Sequence, residues 1–126
     1  MLRFKALGVS ALEMPDLNSF VIVLAEEPDG SGKRLEIQRA LEFDEQDREL
    51  SQDTYCVCTD QGATYYGGIT SWEVAGDVLR IVLNTKAATA LHVKDGFEIE
   101  VGVDAEALAQ LKSSLQRILS AMNQGG

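Results

Sequence analysis

The sequence predicts an α+β protein: a mostly antiparallel β-sheet of six or seven strands, a short helix near 86–92, and an amphipathic helix over 105–122 packed on one face. Two observations carry that prediction. From residue 3 to residue 103 the apolar residues recur mostly with a period of two, as strands require. After Asp104 the period becomes that of a helix and stays so to the end of the stripe. A run of strands followed by one long helix fits a helix laid on an antiparallel sheet.

The elements follow in order. RFKALGVSAL (3–12) reads as the first strand. NSFVIVLAE (18–26) is apolar on both faces, as a central covered strand is. EEPDGSGK (26–33), with Pro28, Gly30 and Gly32, reads as an exposed loop. In KRLEIQRALEFD (33–44), Leu35, Ile37, Leu41 and Phe43 fall on one face, interrupted by Arg39, and Glu36, Gln38, Ala40 and Glu42 on the other. TYCVCTD (54–60) sets Tyr55, Val57 and Thr59 opposite Cys56 and Cys58. QGATYYGG reads as a turn into GITSWEVAGD (68–77), and Ala75-Gly76-Asp77 as a hairpin turn into VLRIVLN (78–84). TKAATALHV (85–93) breaks the alternation and is rich in helix formers, with Thr85 able to cap. FEIEVGV (97–103) alternates again. Asp104 is a good N-cap, Glu106 suits the positive helix end, and Leu108, Leu111, Leu115, Ile118, Leu119 and Met122 form one apolar stripe.

At 126 residues the chain fits one domain, 1–126, large enough to bury a core without disulfide or metal staples. A hydrophobic content of 45% against 25% charged residues is that of a globular chain, not a disordered one. Twenty acids against eleven bases give a net charge of −9 and a pI near 4.5. Such a charge repels nucleic acid and anionic membrane and attracts a basic protein, besides keeping the chain soluble. Cys56 and Cys58, two apart on one strand face, fit a disulfide poorly and read as reduced thiols of a cytoplasmic protein. MLRFKALGVSALEM lacks an apolar signal-peptide core and a cleavage site. The longest apolar run, FVIVLA (20–25), falls far short of the ~20 residues of a membrane span.

The chemistry turns on EFDEQDRELSQDTY (42–55), which carries Glu42, Asp44, Glu45, Asp47, Glu49 and Asp53 against the single base Arg48. Read as a calcium loop from Asp44, it has Arg48 where a ligand belongs and Glu49 where the turn glycine belongs. Zinc requires four ligands, and only His92 could join the two thiols. Nucleophilic triads would all have to use that one histidine, and no G-x-S-x-G accompanies it. Paired-carboxylate catalysis needs two acids in split environments, and nothing apolar lies between Asp44 and Asp47. TYYGG fits neither a P-loop nor a dinucleotide fingerprint. The expectation is a non-enzyme with no cofactor and no metal. Its partner-binding candidates are Glu42, Asp44, Glu45, Asp47, Glu49 and Asp53 for steering, with Tyr65, Tyr66 and Trp72 as residue types that anchor interfaces. The same acids can also serve as turn caps, and each tyrosine can simply pack over a turn.

LEFDEQDRELSQDTYCV, then YYGGITSWEV, then VLRIVLNTKAATAL together resemble a bacterial immunity-protein family, the tenth catalogued with polymorphic toxin systems. The resemblance runs from about Arg34 to Leu119 and is most specific in EFDEQD-x-x-L-x-x-DTY and YGGI. Glu42, Asp44, Glu45, Gln46, Asp47, Asp53 and Tyr55 match the first motif, and Tyr66, Gly67, Gly68 and Ile69 the second. CVC and the EEPDGSGK loop are the parts least expected to be shared. The resemblance implies a small cytoplasmic antidote that binds a cognate toxin domain and blocks it by occlusion, bringing no catalytic residues. The other reading is a small regulatory or ligand-binding module with a pocket between sheet and helix near Tyr65, Tyr66 and Trp72. Edge strands also leave a homo-oligomer open.

Overall fold

The computed structural model describes residues 1–42 and 54–125. Among these residues there are nine strands and two α-helices: β1 (Leu2–Ala6), β2 (Gly8–Met14), β3 (Ser19–Ala25), β4 (Arg34–Ala40), β5 (Cys56–Thr59), β6 (Thr64–Tyr66), β7 (Ile69–Ala75), β8 (Val78–Leu83), α1 (Thr85–Ala90), β9 (Gly96–Val101) and α2 (Ala105–Gly125). A 3-10 turn, Pro15–Leu17, links β2 to β3. The strands form a four-stranded sheet of order β1-β9-β8-β7 and a five-stranded sheet of order β2-β3-β4-β5-β6. Every neighbouring pair is antiparallel except β1 with β9. The fold is α+β with mostly antiparallel strands, as the sequence predicts.

The strand count exceeds the expected six or seven for two local reasons. The stretch 3–12 is two strands, not one. Phe4 and Ala6 are buried in the core, whereas Val9 and Ala11 pack against it, so the inward positions change from even to odd across Leu7-Gly8. That phase shift is the point where the chain leaves one sheet for the other, a corner of the kind strands make when they switch sheets. The Leu7 N–H donates to the Ala25 carbonyl at 3.0 Å. A side chain at Gly8 would put its Cβ 2.3 Å from the Glu27 carbonyl oxygen, so the corner closes only with glycine. The second addition is β6, three residues inside the predicted turn QGATYYGG, too short for periodicity to register.

The inner faces of both sheets and the apolar stripe of α2 meet in one core. Ile22, Leu24, Leu35 and Ile37 come from the five-stranded sheet, Leu79, Ile81, Phe97 and Ile99 from the other, and Leu111, Leu115, Ile118 and Leu119 from α2. The Asp104 carboxylate accepts from the Ala107 N–H at 2.8 Å, the N-cap the sequence predicts. The guanidinium of Arg117 on α2 stands 4.4 Å over the Phe20 ring of β3 and pairs with Glu13 of β2, which fixes the helix on the inner face at that end.

The cap of α1 is Asn84 rather than Thr85: the Asn84 side-chain oxygen accepts from the Ala87 N–H at 2.8 Å. The helix stops short of His92, whose φ of +59° turns the chain, and the imidazole is exposed instead of lying on a helical face.

Candidate functional site

The site is framed by two opposite outer faces and one buried tyrosine that joins the sheets. Tyr55 is 2% exposed and immediately precedes β5. Its hydroxyl oxygen accepts from the Ile69 N–H of β7 at 2.9 Å, and its carbonyl accepts from the Gly67 N–H at 2.9 Å. Burial pushes the phenol pKa up, so the hydroxyl stays protonated through the neutral range. Gly68 carries φ +92°, and a Cβ there would meet the Ala87 Cβ at 2.4 Å and the Tyr65 ring at 3.1 Å. Tyr55 from the first motif and Gly67, Gly68 and Ile69 from the second therefore form a single corner, tying the five-stranded sheet, the four-stranded sheet and α1 together. For these residues the motif is architectural.

The two outer faces differ in chemistry. On the four-stranded sheet, Arg3, Glu98, Arg80 and Glu73 lie in register across all four strands, with Lys5 opposite Glu100 beside them. Arg3 Nε donates to a Glu98 carboxylate oxygen at 2.8 Å, and this pairing holds the Glu98 carboxyl below its ordinary range. That face is a solvated lattice of opposite charges, each exposed pair contributing little to stability.

On the five-stranded sheet the outer row in register is Leu12, Val21, Gln38, Cys56 and Tyr66. Leu12 is 56% exposed and Tyr66 42%, while Leu17, in the 3-10 turn at the rim, is 72% exposed. Leu17, Asn18, Ser19, Gln38, Arg39, Ala40, Thr54, Cys56 and Tyr66 line a groove of about 210 Å³. Both described ends of the acidic segment sit at its rim. Thr54 is part of the lining, and Asn18 holds the Glu42 backbone in a two-point clamp, accepting from its N–H at 3.0 Å and donating to its carbonyl at 2.8 Å. Asn18 itself adopts φ +50°, a conformation asparagine tolerates better than most residues.

The predicted partner-binding residues do not all fall in one place. Glu42 is exposed at the groove rim. Asp44, Glu45, Asp47, Glu49 and Asp53 lie outside the described residues. Tyr65 and Tyr66 are split by the strand period: Tyr65, opposite Val57, packs against the core, whereas Tyr66, opposite Cys56, reaches the outer face. Trp72 belongs to β7, opposite Ile81, and also packs half-buried against the core. The three aromatics therefore form no common patch. Leu12, Leu17 and the clamp residue Asn18 were not singled out in the sequence. An apolar residue on the polar side of a strand, as Leu12 is, was the available signal.

The cleft between sheet and helix, lined by Phe20, Arg39, Ala40, Leu41, Arg117 and Ile118, measures about 90 Å³. That is well below the ~300 Å³ at which ligand sites begin, and it contains none of Tyr65, Tyr66 and Trp72. Cys56 and Cys58 are free thiols 3.7 Å apart on the outer face. Burial, and then the neighbouring Cys58, push the Cys56 thiol up to about 12, so it stays protonated and weakly nucleophilic. No group of three or more histidine, cysteine or carboxylate side chains is placed to hold a metal among the described residues. No helix among them is long and apolar enough to cross a membrane.

The α+β scaffold thus has a buried structural corner and an outer face on which Leu12 and Tyr66 are exposed. The family model for Immunity protein 10 matches residues 5–109, and the chain belongs to that family. The match begins well before Arg34, taking in the end of β1 and all of β2 and β3, and ends within α2. No curated protein and no solved structure matches the chain.

Proposed function

We propose that this chain binds a cognate bacterial toxin domain and neutralises it by occlusion, without catalysis, in the cytoplasm of the cell that makes it. Membership of the Immunity protein 10 family is the observation that carries the reading. Charge supports it: a protein of net charge −9 associates faster with a basic partner, because long-range attraction raises the encounter rate. Glu42, Asp44, Glu45, Asp47, Glu49 and Asp53 concentrate that charge in one stretch of chain. Occlusion needs surface complementarity and no reacting group, so a metal, a cofactor or a nucleophile is not part of the mechanism.

The test pairs the protein with the C-terminal toxin domains of proteins secreted by the same cell, in co-expression and in purified form. The expected result is that one domain co-purifies with it and loses its toxicity. Raising the salt toward 1 M, where charges are screened beyond ~3 Å, weakens the complex. Reversing the charge at Asp44, Glu45 and Asp47 weakens it too, while leaving folding intact. A chain that neither captures nor neutralises any of these domains refutes the proposal.

A further inference from the structure

Of the two outer faces, that of the five-stranded sheet carries the exposed large apolar side chains, and we propose that the toxin domain docks there, against Leu12, Leu17 and Tyr66. This rests on the immunity reading above and specifies the surface that serves it.

Three of the four large apolar side chains that the described residues expose, Leu12, Leu17 and Tyr66, are on this face or its rim, and the fourth, Leu7, is at the corner between the sheets. The opposite outer face is an array of opposite charges, with Arg3 bound to Glu98 and with Arg80 and Glu73 in register beside them. A partner docking there would have to desolvate those charges and would gain little apolar burial. The helices do not compete for the apolar face, since α2 and α1 both pack on the inner side.

Dimensions narrow the partner further. Leu12 and Tyr66 are four strand spacings apart, about 19 Å, and the longest strands run about 23 Å. The sheet face thus offers about 440 Å² in projection, roughly half of the ~800 Å² that each side of a stable complex buries. A protein partner must therefore extend over a rim. The rim at Leu17, Asn18 and Thr54 is where the chain's most acidic stretch is attached in sequence, so a partner reaching across it does best with basic residues there. The groove of about 210 Å³ is too small for a typical organic ligand and suits one large side chain inserted by that partner. A second copy of this chain is disfavoured as the occupant, because two bodies of charge −9 repel each other.

The experiment uses the toxin domain that the wild-type protein captures, with Leu17→Asp, Tyr66→Asp and their double variant. An added carboxylate strengthens attraction to a basic partner that docks elsewhere, and it weakens a partner that buries these side chains, so the sign of the effect is diagnostic. The expected result is at least a tenfold loss of affinity for each variant, with the Leu17→Asp melt unchanged because that side chain is 72% exposed. Glu100→Gln on the opposite face should stay within twofold of wild type. Affinity unchanged or raised in the Asp variants, with wild type still neutralising the toxin, overturns the docking surface and leaves the immunity reading standing. A wild-type protein that captures no toxin domain overturns both. Sedimentation as a dimer that the Asp variants convert to monomer, without change in toxin capture, assigns the face to a second copy and overturns the proposal.

Discussion

Replacing Tyr55 with phenylalanine removes one oxygen atom and tests the corner that joins the two sheets. The hydroxyl oxygen accepts the Ile69 N–H at 2.9 Å, and Tyr55 and Ile69 are 2% and 4% exposed. Phenylalanine keeps the ring packed but leaves a buried amide without that acceptor, at a cost of about 1–3 kcal/mol. For a chain of 126 residues the unfolding entropy is about 0.26 kcal/mol/K, so each kcal/mol lowers the melting temperature by about 4 °C. Tyr55→Phe should therefore melt about 4–11 °C below wild type. The exposed control Glu100→Gln should stay within about 2 °C. Calorimetry supplies the shift, and amide hydrogen exchange supplies the location: Ile69 should lose protection more than the core amides of β8. A Tyr55→Phe protein that melts within about 2 °C of wild type, with Ile69 still protected, would refute the claim that this hydroxyl carries the amide.

The other predictions concern sites that the same geometry exposes. Gly68→Ala places a Cβ 2.4 Å from the Ala87 Cβ at a φ of +92°, and should cost at least about 2 kcal/mol in urea unfolding; a change below about 0.5 kcal/mol would contradict the close approach. Asp104→Ala should cost about 1 kcal/mol through loss of the N-cap, with Asp104→Asn recovering most of it. Cys56, held up to about 12 by burial, and Tyr55, also raised, bind their protons more tightly in the folded state than in the unfolded chain. Their contribution is complete below about pH 8.5, the pKa of an unfolded thiol, and is lost as pH rises toward 12. Melting temperature should thus fall steadily above that pH, and a flat profile from pH 8.5 to 11 would count against it. Iodoacetamide at pH 8 should leave Cys56 unmodified in the native protein and label it once urea is added, as read by peptide mass spectrometry.

How far the fold and the candidate site can be read from the chain depends on whether the signal is local. Strand alternation in Leu35 and Ile37, the helical stripe from Leu108 to Leu119 and the Asp104 cap each depend on neighbours a few residues away, so the sequence determined them and the structure agrees. Even the break between β1 and β2 leaves a local mark, the shift of inward positions across Leu7-Gly8. The pairing of β1 with β9 leaves none, because parallel partners some 95 positions apart carry no mutual imprint in their own periodicity. Only the tertiary structure could divide the strands into two sheets and so give the chain two outer faces.

That division decided the site. Tyr65 and Tyr66 look equivalent as neighbouring aromatics, yet one packs on the core and the other lines the groove, because the register of β6 on β5 fixes which side each faces. The two motifs lie more than ten residues apart in sequence, and among the described residues they meet where the Tyr55 hydroxyl accepts from the Ile69 N–H and the Tyr55 carbonyl accepts from the Gly67 N–H. Composition determined the net charge of −9. Where apolar side chains stay exposed was decided by the packing of α2 on the inner face at Phe20, which left Leu12, Leu17 and Tyr66 on the far side in contact with water.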